Sequence, residues 1–171
     1  MCFIGLQLYA CDAQRKPVKS DREMKQLKEP LVNVNKYLVE QDHQRIAKFV
    51  ERRGWEFNNT ETGLWYQVYE KGSEYRVMEG DQVEFQYTTT LLDGTICYSS
   101  DSLGTRSLIV GRGHDETGLE EAFALLHYGD KARIILPPHL AFGLIGDENK
   151  IPPRSIVMFE VEIIFNPDYL H

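Results

Sequence analysis

Cysteine is scarce in this chain. Only Cys2, Cys11 and Cys97 occur. None belongs to a CxxC pair and none stands at metal-ligand spacing from a histidine, which excludes the usual zinc motifs. No run of about 18 apolar residues exists, so there is no ordinary membrane-spanning helix. Internal repeats and low-complexity tracts are missing as well. An overall positive charge is also missing, since the formal net charge is −7. The balance is uneven: residues 1–60 carry 11 Lys/Arg against 8 Asp/Glu, a net +3, and residues 61–171 carry 8 against 18, a net −10. Phosphates would be repelled by so acidic a second part, which argues against a nucleic-acid partner. What is present suits a packed core: 42% of residues are hydrophobic, enough to exclude wholesale disorder. A length of 171 residues fits one ordinary domain, or a compact domain with an extension.

Met1 to Ala10 is mostly apolar and ends in Leu8-Tyr9-Ala10-Cys11. That tetrad resembles a bacterial lipobox, in which the cysteine becomes the lipidated first residue of the mature protein. Asp12, Gln14, Arg15 and Lys16 follow at once, as in a tether leaving a membrane. A basic segment before the apolar run is lacking, and Gln7 interrupts it, unlike a standard secretory signal. A start upstream of Met1 would reconcile both. The expectation is a lipoprotein anchored at Cys11 in the bacterial cell envelope and facing the periplasm. A cytoplasmic protein follows if residues 1–11 are not a signal.

Residues 1–19 then read as signal remnant and tether, 20–61 as a helical extension and 62–171 as the main domain. Ser20-Asp21-Arg22-Glu23 has the capping-box pattern that opens a helix. Pro30 disfavours helix at the residue before it, which predicts a stop near Glu29. A second helix is predicted over residues 31–53, with Leu31, Val34, Leu38, Ile46, Phe49 and Val50 at helical spacing and Gly54 as its stop. Packing of that stripe onto the rest of the chain is a simpler reading than a dimer surface. From Gly63 the apolar period becomes two. Strands are predicted at 63–69, 83–92, 107–110, 131–136 and 156–165. Asp93-Gly94 makes a tight hairpin. Residues 117–126 read as a short helix, with Thr117 as its cap and Leu119, Phe123 and Leu126 on one face. The sum is an α+β fold: an antiparallel sheet with one short helix, after a helical extension.

Ile151-Pro152-Pro153 can neither continue a helix nor donate ladder hydrogen bonds, so it ends a loop and feeds the last strand. Upstream in register stand Gly80-Asp81-Gln82-Val83, Leu92-Asp93-Gly94, Val110-Gly111, Gly118-Leu119-Glu120-Glu121, Gly129-Asp130 and Pro138-His139-Leu140-Ala141-Phe142-Gly143. Over residues 62–165 this set resembles the FKBP-type peptidyl-prolyl isomerases. With its extension and lipobox, the layout is similar to the gliding-motility-associated isomerase lipoproteins of Bacteroidetes.

The resemblance implies an antiparallel sheet wrapped on one short helix, and a pocket that grips a proline. It puts Tyr87, Phe142 and Phe159 in catalytic positions. Cys97, Tyr98, Glu116, Leu119 and Ile151 fall in substrate-binding positions, with Val157 nearby. Several depart from the family pattern. Cys97-Tyr98 replaces an aromatic-Asp pair, Leu119 a floor tryptophan, Phe142 a tyrosine, Asp115-Glu116 a Val-Ile pair, and Arg106 an aromatic. An X-Pro bond isomerises over a barrier of about 18–20 kcal/mol without any covalent step, so no nucleophile, metal or cofactor is needed. An apolar pocket helps by favouring the twisted amide. The substitutions keep the apolar wall and drop polar partners, which implies weak catalysis on proline-containing clients. A non-catalytic binding module or chaperone of the same fold is the second reading.

Other candidates have plainer explanations. His114-Asp115-Glu116 reads as a solvated turn, because three adjacent residues rarely converge on one metal. Cys97 reads as a small apolar filler. Asp115, Glu116, Glu120, Glu121, Asp147 and Glu148 could form an acidic rim for basic clients, or simply a soluble surface.

Overall fold

The computed structural model describes residues 21–113 and 116–164, with side chains from residue 32 onward. Cys11, expected as a lipidation site, the capping-box side chains, His114 and Asp115 lie outside the described residues. By their contacts, residues fall into two compact units, Met1–Tyr37 and Leu38–His171. The later turns of the first helix, from Leu38 on, fall in the second unit.

That helix, α1, runs unbroken over Asp21–Arg53. The predicted stop at Pro30 does not occur. A prolyl ring removes one donor and strains one turn at a cost of about 3 kcal/mol; here it weakens the helix without ending it. Gly54 does end it. Its φ is 62°, and its N–H donates to Glu51 O (3.0 Å) while that of Trp55 donates to Val50 O (3.3 Å). This pair of bonds is a Schellman closure, and Trp55 packs edge-on against Phe49 across it, with ring centroids 6.1 Å apart.

The sheet takes its strands in the order β1-β2-β6-β7-β3-β4. They are β1 (Asn58–Asn59), β2 (Trp65–Glu70), β3 (Gln82–Leu91), β4 (Ile96–Ser99), β5 (Arg106–Ile109), β6 (Lys131–Leu136) and β7 (Val157–Ile163). All pairings are antiparallel, and β5 lies beside the first half of β3 on the edge that β4 takes beside the second half. Two short helices, α2 (Ser100–Leu103) and α3 (Thr117–Phe123), and a 3-10 turn at Pro138–Leu140 complete it. Glu116, not Thr117, takes the cap position of α3, and it makes no side-chain capping bond.

Alternation sets the two faces of the sheet. Val83, Phe85, Tyr87 and Thr89 of β3 and Val157, Phe159, Val161 and Ile163 of β7 are buried on one face. There α3 covers them with Leu119, Ala122 and Phe123, and Phe123 meets Phe85 edge-on at 4.8 Å. Gly118 lets α3 come this close: a Cβ there would lie 2.6 Å from Leu136 Cδ2 and 2.8 Å from Leu140 O. The opposite face carries Ile135 and Ile156, which pack with Ile46, Phe49 and Val50 of α1. The predicted stripe thus does pack in its later turns, whereas Val34 is exposed.

Candidate functional site

Adjacent strands bring the expected site residues together. Tyr87 pairs with Val161, and two positions on Phe159 pairs with Thr89, so both rings lie on the α3 face of the sheet. Leu119 comes from the first turn of α3, Cys97 from β4 and Ile151 from the loop before β7. All five belong to one buried cluster, against which Tyr98 and Phe142 pack half-buried. The cluster is closed. Leu119 and Phe159 have 0% exposure and Tyr87 only 5%. A proline ring reaches the expected floor only if this wall opens. Burial also pushes the Cys97 thiol up, with Asp147 and Asp93 adding to it, which fits a filler and not a reactive thiolate.

Arg106 forms part of the closure. Its guanidinium carbon lies 5.6 Å from the Tyr87 ring centroid and 5.7 Å from that of Phe85. It also donates to Glu116 Oε2 at 3.1 Å, and the Glu116 side chain is only 11% exposed. Two residues in expected aromatic and apolar pocket positions have become an ion pair laid over the tyrosine.

The loop after the 3-10 turn is held from within by Asp147. Its Oδ1 accepts the N–H groups of Asn149 (3.0 Å) and Ile151 (2.7 Å), and Oδ2 accepts the Tyr98 hydroxyl. Burial opposes the charge on Asp147, but the bonds from Tyr98, Ile151 and Asn149 outweigh it and hold the carboxyl below its ordinary range. The same bond pushes the Tyr98 phenol up. Asn149 Nδ2 donates to that phenol oxygen at 3.3 Å, and the Cys97 thiol donates to Lys150 O at 3.6 Å. Strand β4 is thereby laced to the loop that carries Ile151. Leu144 and Ile145 on the same loop are 70% and 69% exposed.

The acidic rim is mostly committed internally. Glu120 is buried and accepts the Gly113 N–H, Glu121 accepts both Thr60 and Thr62 hydroxyls, Glu116 pairs with Arg106, and Asp147 holds its loop. Sequence reasoning placed Tyr98 and Asp147 separately and missed that they bind each other. It also missed Asp42. The Asp147-x-Asn149 spacing, an acceptor two residues before a turn N–H, is the one local signal that could have shown the role of Asp147. Among the described residues no group of three or more His, Cys, Asp or Glu is placed to hold a metal ion, and no helix is long and apolar enough to cross a membrane.

Comparison with known proteins agrees with this geometry. A family model for the FKBP-type peptidyl-prolyl cis-trans isomerases matches residues 73–164, more than half of the chain. Over 107 residues the chain is 36% identical to the FKBP-type 22 kDa peptidyl-prolyl cis-trans isomerase of Escherichia coli (strain K12), covering 63% of this chain and 52% of that protein. It is 31% identical over 87 residues to peptidyl-prolyl cis-trans isomerase FKBP9 of Homo sapiens, covering 50% of this chain and 15% of that protein. The match therefore spans about half or less of these relatives' own length. The crystal structure of AtFKBP13 superposes with a TM-score of 0.62 over 65% of this chain and 98% of that one, at 24% identity, a likeness of fold.

Proposed function

The chain belongs to the FKBP-type peptidyl-prolyl cis-trans isomerases, and from that premise we propose that it isomerises X-Pro bonds slowly, at a site that must open. The reading rests on one observation: Tyr87, Leu119, Ile151 and Phe159 share one buried cluster, each 5% exposed or less, and the Arg106 guanidinium, paired with Glu116, lies over the Tyr87 ring. Uncatalysed exchange takes about tens to hundreds of seconds. The chain lowers that barrier by desolvating the amide and favouring its twisted, less polar form. Phe142 has no hydroxyl to donate to a substrate carbonyl, and Tyr98 has its hydroxyl committed to Asp147. Both features support a slow enzyme.

The experiment is a protease-coupled assay on X-Pro peptides, comparing wild type with Tyr87→Ala. A wild-type rate above background that falls in the variant supports catalysis. Equal, near-background rates would mean a binding module. The zero exposure of Leu119 and Phe159 favours that second reading: the fold would then hold proline-containing segments by its exposed rim.

We also propose that the chain works in the cell envelope, tethered through an acylated Cys11, on envelope or secreted clients. The support is the sequence Leu8-Tyr9-Ala10-Cys11 and the polar segment after it. Metabolic labelling with a clickable fatty acid tests this: label lost in Cys11→Ser supports the tether, and label absent from wild type removes it.

A further inference from the structure

Asp42 is an acidic residue with almost no contact with water, 4% exposed, on a helix that precedes the family-matched region at 73–164. Burial of a carboxylate is unfavourable unless it is paired and hydrogen-bonded. Its Oδ2 accepts Arg154 Nη2 at 2.7 Å, across 112 positions of sequence, while the far more exposed Arg45 approaches Oδ1 only to 3.8 Å. Arg154 directly follows Ile151-Pro152-Pro153. It is one of two non-glycine residues among those described with a left-handed backbone, at φ 57°, a region such residues keep only when the surroundings hold them. Its own N–H donates to Gly143 O at 3.2 Å and so closes the base of loop 143–154. Within that loop Ile151 N–H is bound to Asp147, and Ile151 itself enters the site cluster.

We propose that Asp42 is a positioning residue for the isomerase site: through Arg154 it fixes the base of loop 143–154 and so the placement of Ile151. The α1 helix thereby sets how readily the closed site admits a proline. This deepens the isomerase reading and rests on it for its kinetic consequence. The mechanical claim stands on the ion pair and the strained residue alone.

Hydrogen exchange of the loop amides, with X-Pro kinetics alongside, tests it in the whole chain. Asp42→Asn and Arg154→Gln should each speed exchange at residues 143–151 about tenfold or more and raise KM more than they lower kcat. Asp42→Glu should restore much of the protection. Phe49→Leu weakens the packing of the same helix without touching the pair, and well below its Tm it should leave loop exchange unchanged. Unchanged loop exchange in Asp42→Asn and Arg154→Gln, or equal acceleration in Phe49→Leu, would overturn the proposal. Should Asp42→Asn fail to fold, the part-exposed Arg154→Gln decides alone. If the wild type has no isomerase activity, the kinetic arm is silent and the exchange arm still decides, so the two failures are distinct.

Discussion

Tyr98 donates its hydroxyl hydrogen to the Asp147 carboxylate, joining strand β4 to the loop that carries Ile151. The bond needs an ionised acid and a protonated phenol. Asp147 is held below the ordinary carboxylate value, so its contribution is present above about pH 4 and is lost as pH falls through its own lower value. Tyr98 is raised, so its contribution is present below about pH 10 and is lost as pH rises through its higher value. Loop protection in hydrogen exchange, corrected for the intrinsic rate, should therefore be greatest between these limits. Tyr98→Phe should remove the loss at the alkaline end and lessen the loss at the acid end, where Asp147 keeps the N–H groups of Asn149 and Ile151; a wild-type profile unchanged in the variant would contradict this.

Replacing Arg106 by phenylalanine removes the charge laid over Tyr87 and leaves Glu116 without its partner. The site should open more readily, and kcat/KM on X-Pro peptides should rise several-fold. Stability should fall by about 1–3 kcal/mol, because the Glu116 side chain, only 11% exposed, loses the guanidinium that pairs it. Stopped-flow rates and a denaturant midpoint check both halves of the expectation.

Gly146 has φ 74°, and a Cβ there would lie 2.1 Å from Ile151 O. The Asp147 loop cannot form around a larger residue without moving Ile151. Gly146→Ala should cost about 2–3 kcal/mol, read as a lower denaturant midpoint. It should also abolish the pH dependence of loop exchange.

Arg133 lies between two rings on the α1 side of the sheet, its guanidinium carbon 4.5 Å from the centroids of both Trp55 and Tyr69. It also donates to Glu160 at 2.7 Å. Arg133→Ala should lower stability by about 2 kcal/mol in equilibrium unfolding, through lost stacking as much as lost charge. Arg133→Lys should recover only part of it, because an ammonium cannot stack as a planar group does.

Much of the fold was legible because its signals are local. The Ile151-Pro152-Pro153 turn, the Gly54 stop and the alternation from Val157 to Ile163 each follow from a few neighbouring residues. Pro30 misled, since its local cost does not decide whether a long helix continues past it. The neighbourhood of Tyr87, Cys97, Leu119, Ile151 and Phe159 was also legible, and they do share one buried cluster. Its closure was not. Around the cluster stand pairs such as Arg106 with Glu116, Tyr98 with Asp147 and Asp42 with Arg154, whose partners lie 10, 49 and 112 positions apart. Periodicity tells which face a residue takes and not which charge waits for it across the fold.

In the proposed isomerase the proline wall is in place but buried. Its most direct test is the X-Pro isomerisation rate of wild type beside the double variant Arg106→Phe/Phe142→Tyr, which removes the covering charge and restores a hydroxyl donor. Wild type should be slow yet above the uncatalysed rate, and the double variant faster by more than tenfold, several-fold from removing the charge and about tenfold from a donor that strengthens in the transition state. A wild type that is already the faster of the two, or a double variant no faster than wild type, would contradict it.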